Sequence, residues 1–220
     1  MISNTKNSIK KISIIAPFYN EAESLPLFYK ELKNSIKKIK SYNFEIIFVD
    51  DGSNDNSLVF LLSLLKNDKQ INIIELSRNF GKEAALTAGI ENCNGDAAIP
   101  IDVDLQDPPS LIEEMIQMWE KGNDVVLAKR NDRSSDSFFK RFLAYFFYKI
   151  YGWLIRDSSF YNVGDYRLID KKVINVIKNL KEKNRFMKGL FGWPGFKTYE
   201  ILYSRSSRIA GKSKFNFFKL

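Results

Sequence analysis

The sequence predicts an α/β fold with a mostly parallel sheet and helices on both faces. Two observations support this prediction: apolar segments of strand length alternate with helical patterns, and most of the strand segments end in polar or acidic residues. Alternation of this kind implies right-handed crossovers between parallel strands. The 220 residues are enough to bury one core and therefore to form one domain.

The first half of the chain repeats a strand followed by a helix. Apolar segments predict strands at residues 12–17, 44–49, 71–76 and 97–101. Helical patterns follow the first three at residues 24–40, 55–67 and 82–92, and Asp107-Pro108-Pro109-Ser110 starts a further helix. We therefore expect four parallel strands from this half.

The second half loses this regular alternation. One more strand is predicted at residues 125–128, followed by a loop at 134–137 and an aromatic, basic helix at 138–155. Another helix is predicted at residues 171–180, and the last forty or so residues are predicted to be loop and short strand. Residues 1–10 are predicted to be a flexible tail, because they are polar and lack periodicity.

Composition excludes several kinds of site. The chain has no histidine, which excludes histidine-based catalytic triads and histidine-ligated zinc. Cys93 is its single cysteine, which excludes an internal disulfide or cysteine cluster and fits a reducing compartment. Any bound metal must therefore use carboxylates.

Charge is distributed unevenly along the chain. Residues 1–128 contain 13 Lys and Arg against 19 Asp and Glu, whereas residues 129–220 contain 21 against 7, so the two parts carry −6 and +14. The basic part indicates an anionic partner, such as a phosphate, an anionic membrane surface or nucleic acid, or else a solvated basic surface.

Neither a signal peptide nor a membrane span is predicted, since the longest apolar stretch, residues 142–155, contains Lys149 and is shorter than the roughly 20 residues required.

Acidic residues follow three of the first four predicted strands. They occur in Asn20-Glu21, Asp50-Asp51 and Asp102-Val103-Asp104. Ligands of parallel sheets bind outside the carboxyl ends of the strands, so these groups are expected at one edge. Turn formation or helix capping explains Asp50 and Asp55, but several carboxylates at one edge would repel one another without a cation. Oxygen ligands select Mg²⁺ or Mn²⁺, which predicts that Asp102, Asp104 and Gln106 bind a divalent ion together with a nucleotide diphosphate.

Six motifs, in this order, resemble those of the polyprenyl-phosphate glycosyltransferases. They are Pro17-Phe18-Tyr19-Asn20-Glu21, Val49-Asp50-Asp51-Gly52-Ser53, Arg78-Asn79-Phe80-Gly81-Lys82, Asp102-Val103-Asp104-Leu105-Gln106-Asp107-Pro108, Gly164-Asp165-Tyr166-Arg167-Leu168 and Arg208-Ile209-Ala210-Gly211-Lys212-Ser213-Lys214-Phe215. The resemblance covers residues 11–220 and is strongest to bactoprenol glucosyltransferases. Dolichyl-phosphate mannose synthases and aminoarabinose transferases are wider relatives. It implies a GT-A fold and an inverting, metal-dependent sugar transfer from a nucleotide to a lipid phosphate.

The resemblance also implies roles for individual residues. The nucleotide-sugar site would comprise Pro17, Tyr19, Glu21, Asp51, Lys82, Asp102, Val103, Asp104, Gln106, Arg208, Lys212 and Ser213. Arg130, Lys140 and Arg141 would bind the acceptor phosphate, and Asp104, Asp165 and Arg130 would be catalytic. Asp165 is either the family's base or acceptor-orienting residue, or a structural residue of a Gly164-Asp165 turn whose carboxylate pairs with Arg167. The domain would then divide into a nucleotide-sugar and metal half, residues 11–128, and a basic acceptor and membrane-facing half, residues 129–220.

The resemblance also implies the substrates, the cofactor and the location of the protein. The donor is expected to be UDP-glucose, the acceptor undecaprenyl phosphate, and the cofactor Mg²⁺ or Mn²⁺. The aromatic helix at 138–155 is either interfacial and amphipathic or part of the core. Relatives usually continue into two transmembrane helices that these 220 residues lack, so either an anchor is missing or the protein associates peripherally with the cytoplasmic face of the bacterial inner membrane. A homo-oligomer is also considered.

Three other functions are compatible with the same features. Mannose, GlcNAc or aminoarabinose could replace glucose as the transferred sugar. A soluble transferase that extends a glycan would share the Asp102 and Asp104 site but would not need the aromatic, basic helix. A non-enzymatic module that binds nucleotide or nucleic acid would use the basic half, but the clustered carboxylates oppose a nucleic acid backbone, so no nucleic acid partner is expected.

Overall fold

A computed structural model of the chain describes residues 9–131, 163–180, 182, 185, 187–192 and 194–204. Its strands are β1 (Lys11–Phe18), β2 (Asn43–Asp50), β3 (Ile71–Glu75), β4 (Ala97–Pro100), β5 (Val125–Arg130), β6 (Val163–Asp170) and β7 (Thr198–Tyr203). Its helices are α1 (Leu25–Ile36), α2 (Ser57–Leu65), α3 (Lys82–Asn92), α4 (Ile112–Glu120), α5 (Lys171–Asn179) and α6 (Met187–Gly192). A short 3₁₀ turn at Pro109–Leu111 precedes α4.

The strands form one mixed sheet in the order β3-β2-β1-β4-β6-β5-β7. Neighbours among the first four strands are parallel, and so are β5 and β7. Strand β6 is antiparallel to both β4 and β5. The prediction of a mostly parallel sheet is therefore confirmed. Because β6 runs the opposite way, its first residues lie at the edge where the other strands end, which we call the carboxyl edge.

Helices cover both faces of the sheet, as predicted. On β1, Ile12 and Ile14 belong to the core layer that also contains buried side chains of α1, α2 and α4. Ile15 belongs to the opposite layer, with side chains of α3, α5 and α6. Successive strand residues point to opposite faces, so an apolar run such as that of β1 supplies both layers.

Helix α1 illustrates how a face is buried. Its buried residues are Leu25, Phe28, Leu32 and Ile36, spaced three or four apart along one side of the helix. Each contributes roughly 1.5–3 kcal/mol on full burial, which is an upper estimate because unfolded chains are partly compact. The helix ends at Ile36 rather than at residue 40, although Ile39 beyond its end still packs against the same core layer.

Two elements of the second half were not predicted from the sequence. Helix α6 lies within the segment predicted as loop and short strand, and β6 occupies a segment interpreted as a possible turn. The interpretation of Gly164-Asp165 as a turn was wrong, because both residues lie within β6. Charged residues interrupt this strand, so it lacks the apolar run that marks the others.

Some predictions fall outside the described residues. They concern the helix at residues 138–155, the loop at 134–137 and most of the predicted tail at 1–10. Of the helices that the structure does describe, none combines the length and the apolar character needed to cross a membrane.

Candidate active site

The carboxyl edge brings together candidate site residues from six strand ends. Pro17 lies in β1, with Tyr19 and Glu21 just beyond it, and Asp51 directly follows β2. Lys82 begins α3 after β3, Asp102, Val103, Asp104 and Gln106 follow β4, and Arg130 ends β5. Asp165 is the third residue of β6 and reaches the same edge only because that strand is antiparallel. The prediction that the acidic residues after β1, β2 and β4 lie at one edge of the sheet is therefore confirmed.

Asp51 fixes the loop between β3 and α3. The backbone N–H groups of Phe80 and Gly81 donate to its Oδ1 and Oδ2 atoms, at N···O distances of 2.8 and 2.9 Å. Burial raises the pKa of Asp51 in spite of these two bonds. Asp51 was predicted to bind the base and ribose. In this structure its carboxylate first positions the loop that leads to Lys82, and each oxygen retains a further lone pair for a ligand.

Gly52 allows this loop to approach β2 closely. Its φ of +72° is left-handed, and a Cβ atom there would lie 2.4 Å from the carbonyl carbon of Arg78. The adjacent Asp50 closes a turn by accepting a hydrogen bond from the Ser53 backbone at 2.8 Å. The alternative role of Asp50 as a turn residue is thereby supported.

Glu21 and Asn20 are held in a hydrogen-bonded frame between the ends of β1 and β2. The Ser24 hydroxyl donates to Glu21 Oε2 at 2.7 Å, and the Glu21 N–H donates to Ser57 Oγ at 2.8 Å. Asn20 has a left-handed φ of 52°, and its N–H donates to Ser53 Oγ at 2.8 Å. These bonds preorganise the loop that carries Tyr19.

Lys82 links two carboxylates at the centre of the edge. Its Nζ atom lies 2.6 Å from Asp102 Oδ1 and 2.8 Å from Asp102 Oδ2. The same atom lies 2.7 Å from Asp165 Oδ2. Burial lowers the pKa of Lys82, but the charges of Asp102 and Asp165 outweigh burial and raise it above its ordinary value. Lys82 therefore carries a full positive charge at neutral pH.

The segment after β4 adopts an uncommon backbone conformation. Leu105 is buried and has a left-handed φ of 57°, which is rare for residues with a branched side chain. The Gln106 N–H donates to Asp104 Oδ1 at 3.1 Å, which stabilises the turn. Such conformations concentrate at ligand sites, where the surrounding structure holds them in place.

The donor set suits a hard divalent cation whose remaining coordination positions are filled by water or by a substrate. Asp102 and Asp104 supply carboxylate oxygens and Gln106 an amide oxygen, the ligand types that Mg²⁺ and Mn²⁺ prefer. Among the residues that the structure describes, no three Asp, Glu, Cys or His side chains are grouped so as to hold a metal ion by themselves. Mg²⁺ is commonly bound by one or two carboxylates together with substrate phosphates, so these residues fit that kind of site.

Arg130 lies at the end of β5 beside a buried tyrosine–carboxylate pair. The hydroxyl of Tyr203 donates to Asp107 Oδ1, and burial together with Asp107 raises the pKa of Tyr203, while a hydrogen bond from Arg130 lowers it. Arg130 Nε is buried and has no hydrogen-bond partner among the described residues. A half-buried guanidinium whose buried Nε has no partner among the described residues suits an anionic ligand.

Arg167 is a charged residue of the site region that the prediction treated only as an ion-pair partner. It is almost fully buried, its Nη2 donates to the Gly164 carbonyl oxygen at 2.6 Å, and its guanidinium stacks 4.4 Å from the Phe191 ring centroid. Burial lowers its pKa to about 10, opposed by the charges of Asp165 and Glu83. Asp165 thus has Lys82 on one side and a buried guanidinium nearby. Arg167 belongs to the Gly164–Leu168 motif, but that motif does not indicate that its guanidinium is buried.

Five candidate residues cannot be placed. Lys140, Arg141, Arg208, Lys212 and Ser213 lie outside the described residues, so their predicted roles remain predictions.

Comparison with known families agrees with this geometry. Residues 13–177, three quarters of the chain, match the family described as Glycosyl transferase family 2. The chain belongs to glycosyl transferase family 2. The matched range includes every strand that contributes to the candidate site except β7.

Curated members of this family are similar over nearly the whole chain. The prophage bactoprenol glucosyl transferase homolog of Escherichia coli K12 is 46% identical over 210 residues, which cover 96% of this chain and 68% of the relative. The bactoprenol glucosyl transferase of Shigella phage SfV is 45% identical, with the same coverage. An uncharacterized glycosyltransferase of Synechocystis, sll0501, is 45% identical and is covered to 66% of its length. The chain therefore spans about two thirds of the length of these relatives.

Solved structures establish the GT-A fold. Glucosyl-3-phosphoglycerate synthase from Mycobacterium tuberculosis, in complex with Mn²⁺, UDP and phosphoglyceric acid, has a TM-score of 0.63 at 14% identity, covering 92% of this chain and 72% of that one. The mannosyltransferase PcManGT from Pyrobaculum calidifontis, in complex with GDP-Man and Mn²⁺, has a TM-score of 0.61 at 12% identity, covering 90% of this chain and 58% of that one. Similarity at this level of identity concerns the fold.

Proposed function

We propose that this family 2 glycosyltransferase transfers glucose from UDP-glucose to undecaprenyl phosphate, with inversion at the anomeric carbon and dependence on Mg²⁺ or Mn²⁺. The observation that carries this proposal is the identity of 45–46% over 96% of the chain to proteins named bactoprenol glucosyl transferase. The place of action would be the cytoplasmic face of the bacterial inner membrane, where a polyprenyl acceptor presents its phosphate.

The donor half of the site would lie between β1, β2 and β4. Pro17, Tyr19, Glu21 and Asp51 would surround the nucleoside, and Asp102, Asp104 and Gln106 would hold the divalent ion against the diphosphate. When bound, the ion would stabilise charge that develops on the departing diphosphate. The hydrogen bonds that fix Asp51 and Asp104 to neighbouring backbone support this proposal, because they hold the loops in place before a ligand arrives.

The acceptor half would lie around β5 and β6. Phosphate monoesters lose their second proton near pH ~6, so a lipid phosphate is already a nucleophile and needs little base catalysis. Positioning and charge neutralisation would then supply most of the rate enhancement. Arg130, with its unused buried Nε donor among the described residues, would bind a phosphate oxygen. Lys82 shares its charge between Asp165 and Asp102 in this structure, which would partly reduce the repulsion between Asp165 and an incoming phosphate.

Radiolabelled UDP-glucose, supplied with undecaprenyl phosphate in membranes and Mg²⁺ or Mn²⁺, tests the proposal. We expect a labelled glycolipid whose formation is blocked by chelator and falls by about 100-fold or more in Asp104→Ala, since a transition-state charge loses its counter-ion. Offering GDP-mannose and UDP-GlcNAc in the same assay tests the choice of sugar.

Asp96→Ala is the matched control. Asp96 precedes β4 at the opposite edge of the sheet, where its Oδ2 accepts a hydrogen bond from the Lys11 backbone at 2.9 Å. This variant removes the same charge far from the candidate site and should retain transfer. Label incorporation that survives both chelator and Asp104→Ala would refute the proposed mechanism, and a labelled lipid formed only from another nucleotide sugar would refute the choice of glucose.

A further inference from the structure

Lys82 occupies both oxygens of a carboxylate that the proposed function assigns to a divalent ion. Its Nζ atom lies 2.6 and 2.8 Å from the two Asp102 oxygens, with Asp165 Oδ2 at 2.7 Å on its other side. A Mg²⁺ ion binds oxygen at about 2.0–2.1 Å. Each Asp102 oxygen keeps a second lone pair, but an ammonium group and a divalent ion on the same carboxylate would lie within a few ångströms of each other and repel, so the two cations compete for Asp102.

The backbone of Lys82 is fixed, whereas its side chain can move. The Gly81 N–H is held by Asp51 at 2.9 Å, and Lys82 is the first residue of α3. Its side chain is 42% exposed, and four methylene groups separate the ammonium from the backbone. The ammonium can therefore leave Asp102 without disturbing the loop, and Asp165 provides a partner that it already contacts.

We propose that Lys82 is the cation of this site in the metal-free protein, and that a divalent ion bound by Asp102 displaces it onto Asp165. The proposal rests on the metal-dependent function above and adds an order to it. When the metal arrives with the sugar donor, the Lys82 ammonium moves from Asp102, on the sugar-donor side of the site, to Asp165, on the lipid-acceptor side. Asp165 is then fully neutralised only when donor and metal are in place, which favours binding of the anionic acceptor second.

Lysine labelling tests this transfer directly with Mn²⁺ as the only ligand. A limiting acylating reagent is applied to the wild-type chain and to Asp165→Asn, with and without Mn²⁺, and acylation of each lysine is measured by mass spectrometry. In Asp165→Asn, the ammonium displaced from Asp102 has no second carboxylate to pair with. Mn²⁺ should therefore raise acylation of Lys82 about fivefold relative to the metal-free sample, because loss of an ion pair worth about 1 kcal/mol raises the population of unpaired ammonium by that factor. In the wild type the increase should be smaller.

Lys33 serves as the reference in the same samples. It is paired with Asp68 at 2.7 Å, and its side chain is 30% exposed, yet it lies away from the candidate metal ligands. Its labelling should not respond to Mn²⁺. Labelling of Lys82 in Asp165→Asn that stays constant when Mn²⁺ is saturating would overturn the proposal.

Mn²⁺ affinity, measured by electron paramagnetic resonance, gives a second readout that does not need Asp165→Asn to fold. Lys82→Met removes the competing cation and should bind Mn²⁺ roughly five- to tenfold more tightly than the wild type, whereas Lys33→Met should match it. Equal or weaker binding by Lys82→Met would overturn the competition.

The same titration separates this proposal from the proposed function. Mn²⁺ binding that requires UDP would overturn displacement by the metal alone and leave the metal-dependent donor site intact. An absence of Mn²⁺ binding even with UDP would overturn both. Tight binding with unchanged labelling would overturn only the movement of Lys82.

Discussion

Replacement of Gly52 by alanine should disrupt the loop that positions Lys82. The added Cβ atom would lie 2.4 Å from the carbonyl carbon of Arg78 and 2.7 Å from its Cα, so this backbone must retreat by roughly 1 Å to reach ordinary contact. Such a shift lengthens the two hydrogen bonds from Phe80 and Gly81 to Asp51, now 2.8 and 2.9 Å. Left-handed strain of about 1–2 kcal/mol and a weakened bond to a charged group add to an expected loss of about 2–4 kcal/mol.

Gly122→Ala separates the clash from the strain. Gly122 also has a left-handed φ, of +82°, but a Cβ atom there meets nothing within 4 Å. Alanine at this position should cost only the conformational strain, about 1–2 kcal/mol. Urea unfolding of both variants measures the two losses, and calorimetric titration with UDP measures the effect on the site. Equal losses of stability, or unchanged UDP binding by Gly52→Ala, would refute the reasoning.

Two further predictions concern the opposite edge of the sheet and the buried tyrosine. Tyr203→Phe removes the hydroxyl that donates to the buried Asp107 and should cost about 1.5–3 kcal/mol in urea unfolding. Tyr199→Phe, at an exposed position near the start of the same strand, should change stability by less than about 0.5 kcal/mol. The Lys11 backbone N–H lowers the pKa of Asp96, so ionised Asp96 stabilises the fold above its unfolded pKa near 3.8, and this contribution disappears as pH falls through the lower folded pKa. The advantage of wild type over Asp96→Asn should therefore be largest near neutral pH and vanish in acid, and a difference that does not depend on pH would contradict this assignment.

The first half of the fold could be predicted because its strands are uninterrupted apolar runs. Asp51 and Asp102 follow such runs, and parallel topology then places their side chains at one edge without further information. Helix α3 was predicted with both its ends, since Gly81 and Asn94-Gly95 mark its limits. The positions of the residues on the sugar-donor side of the candidate site can therefore be predicted from neighbouring sequence patterns.

The acceptor side could not be predicted in the same way. Asp165 and Arg167 interrupt β6 with charges that are tolerated in the sheet only because Lys82, the Gly164 carbonyl and the Phe191 ring contact them. Lys82 and Phe191 lie on two other segments, α3 and α6, so this compensation exists only in the folded chain. The contact between Tyr203 and Asp107 likewise could not be predicted from local sequence patterns, although the last forty or so residues were predicted to contain a short strand.

The late position of β6 in the sequence also has a consequence for synthesis on the ribosome. Strand β4 lies between β1 and β6, and its pairing with β6 involves Ala97 with Asp170 and Ala98 with Ile169. Until residues 163–170 leave the exit tunnel, β4 is an edge strand of four buried, mostly apolar residues, a feature that invites pairing with other chains. A nascent chain of this enzyme therefore carries an exposed sheet edge for more than sixty residues of elongation, which makes that interval the one in which a chaperone would bind it.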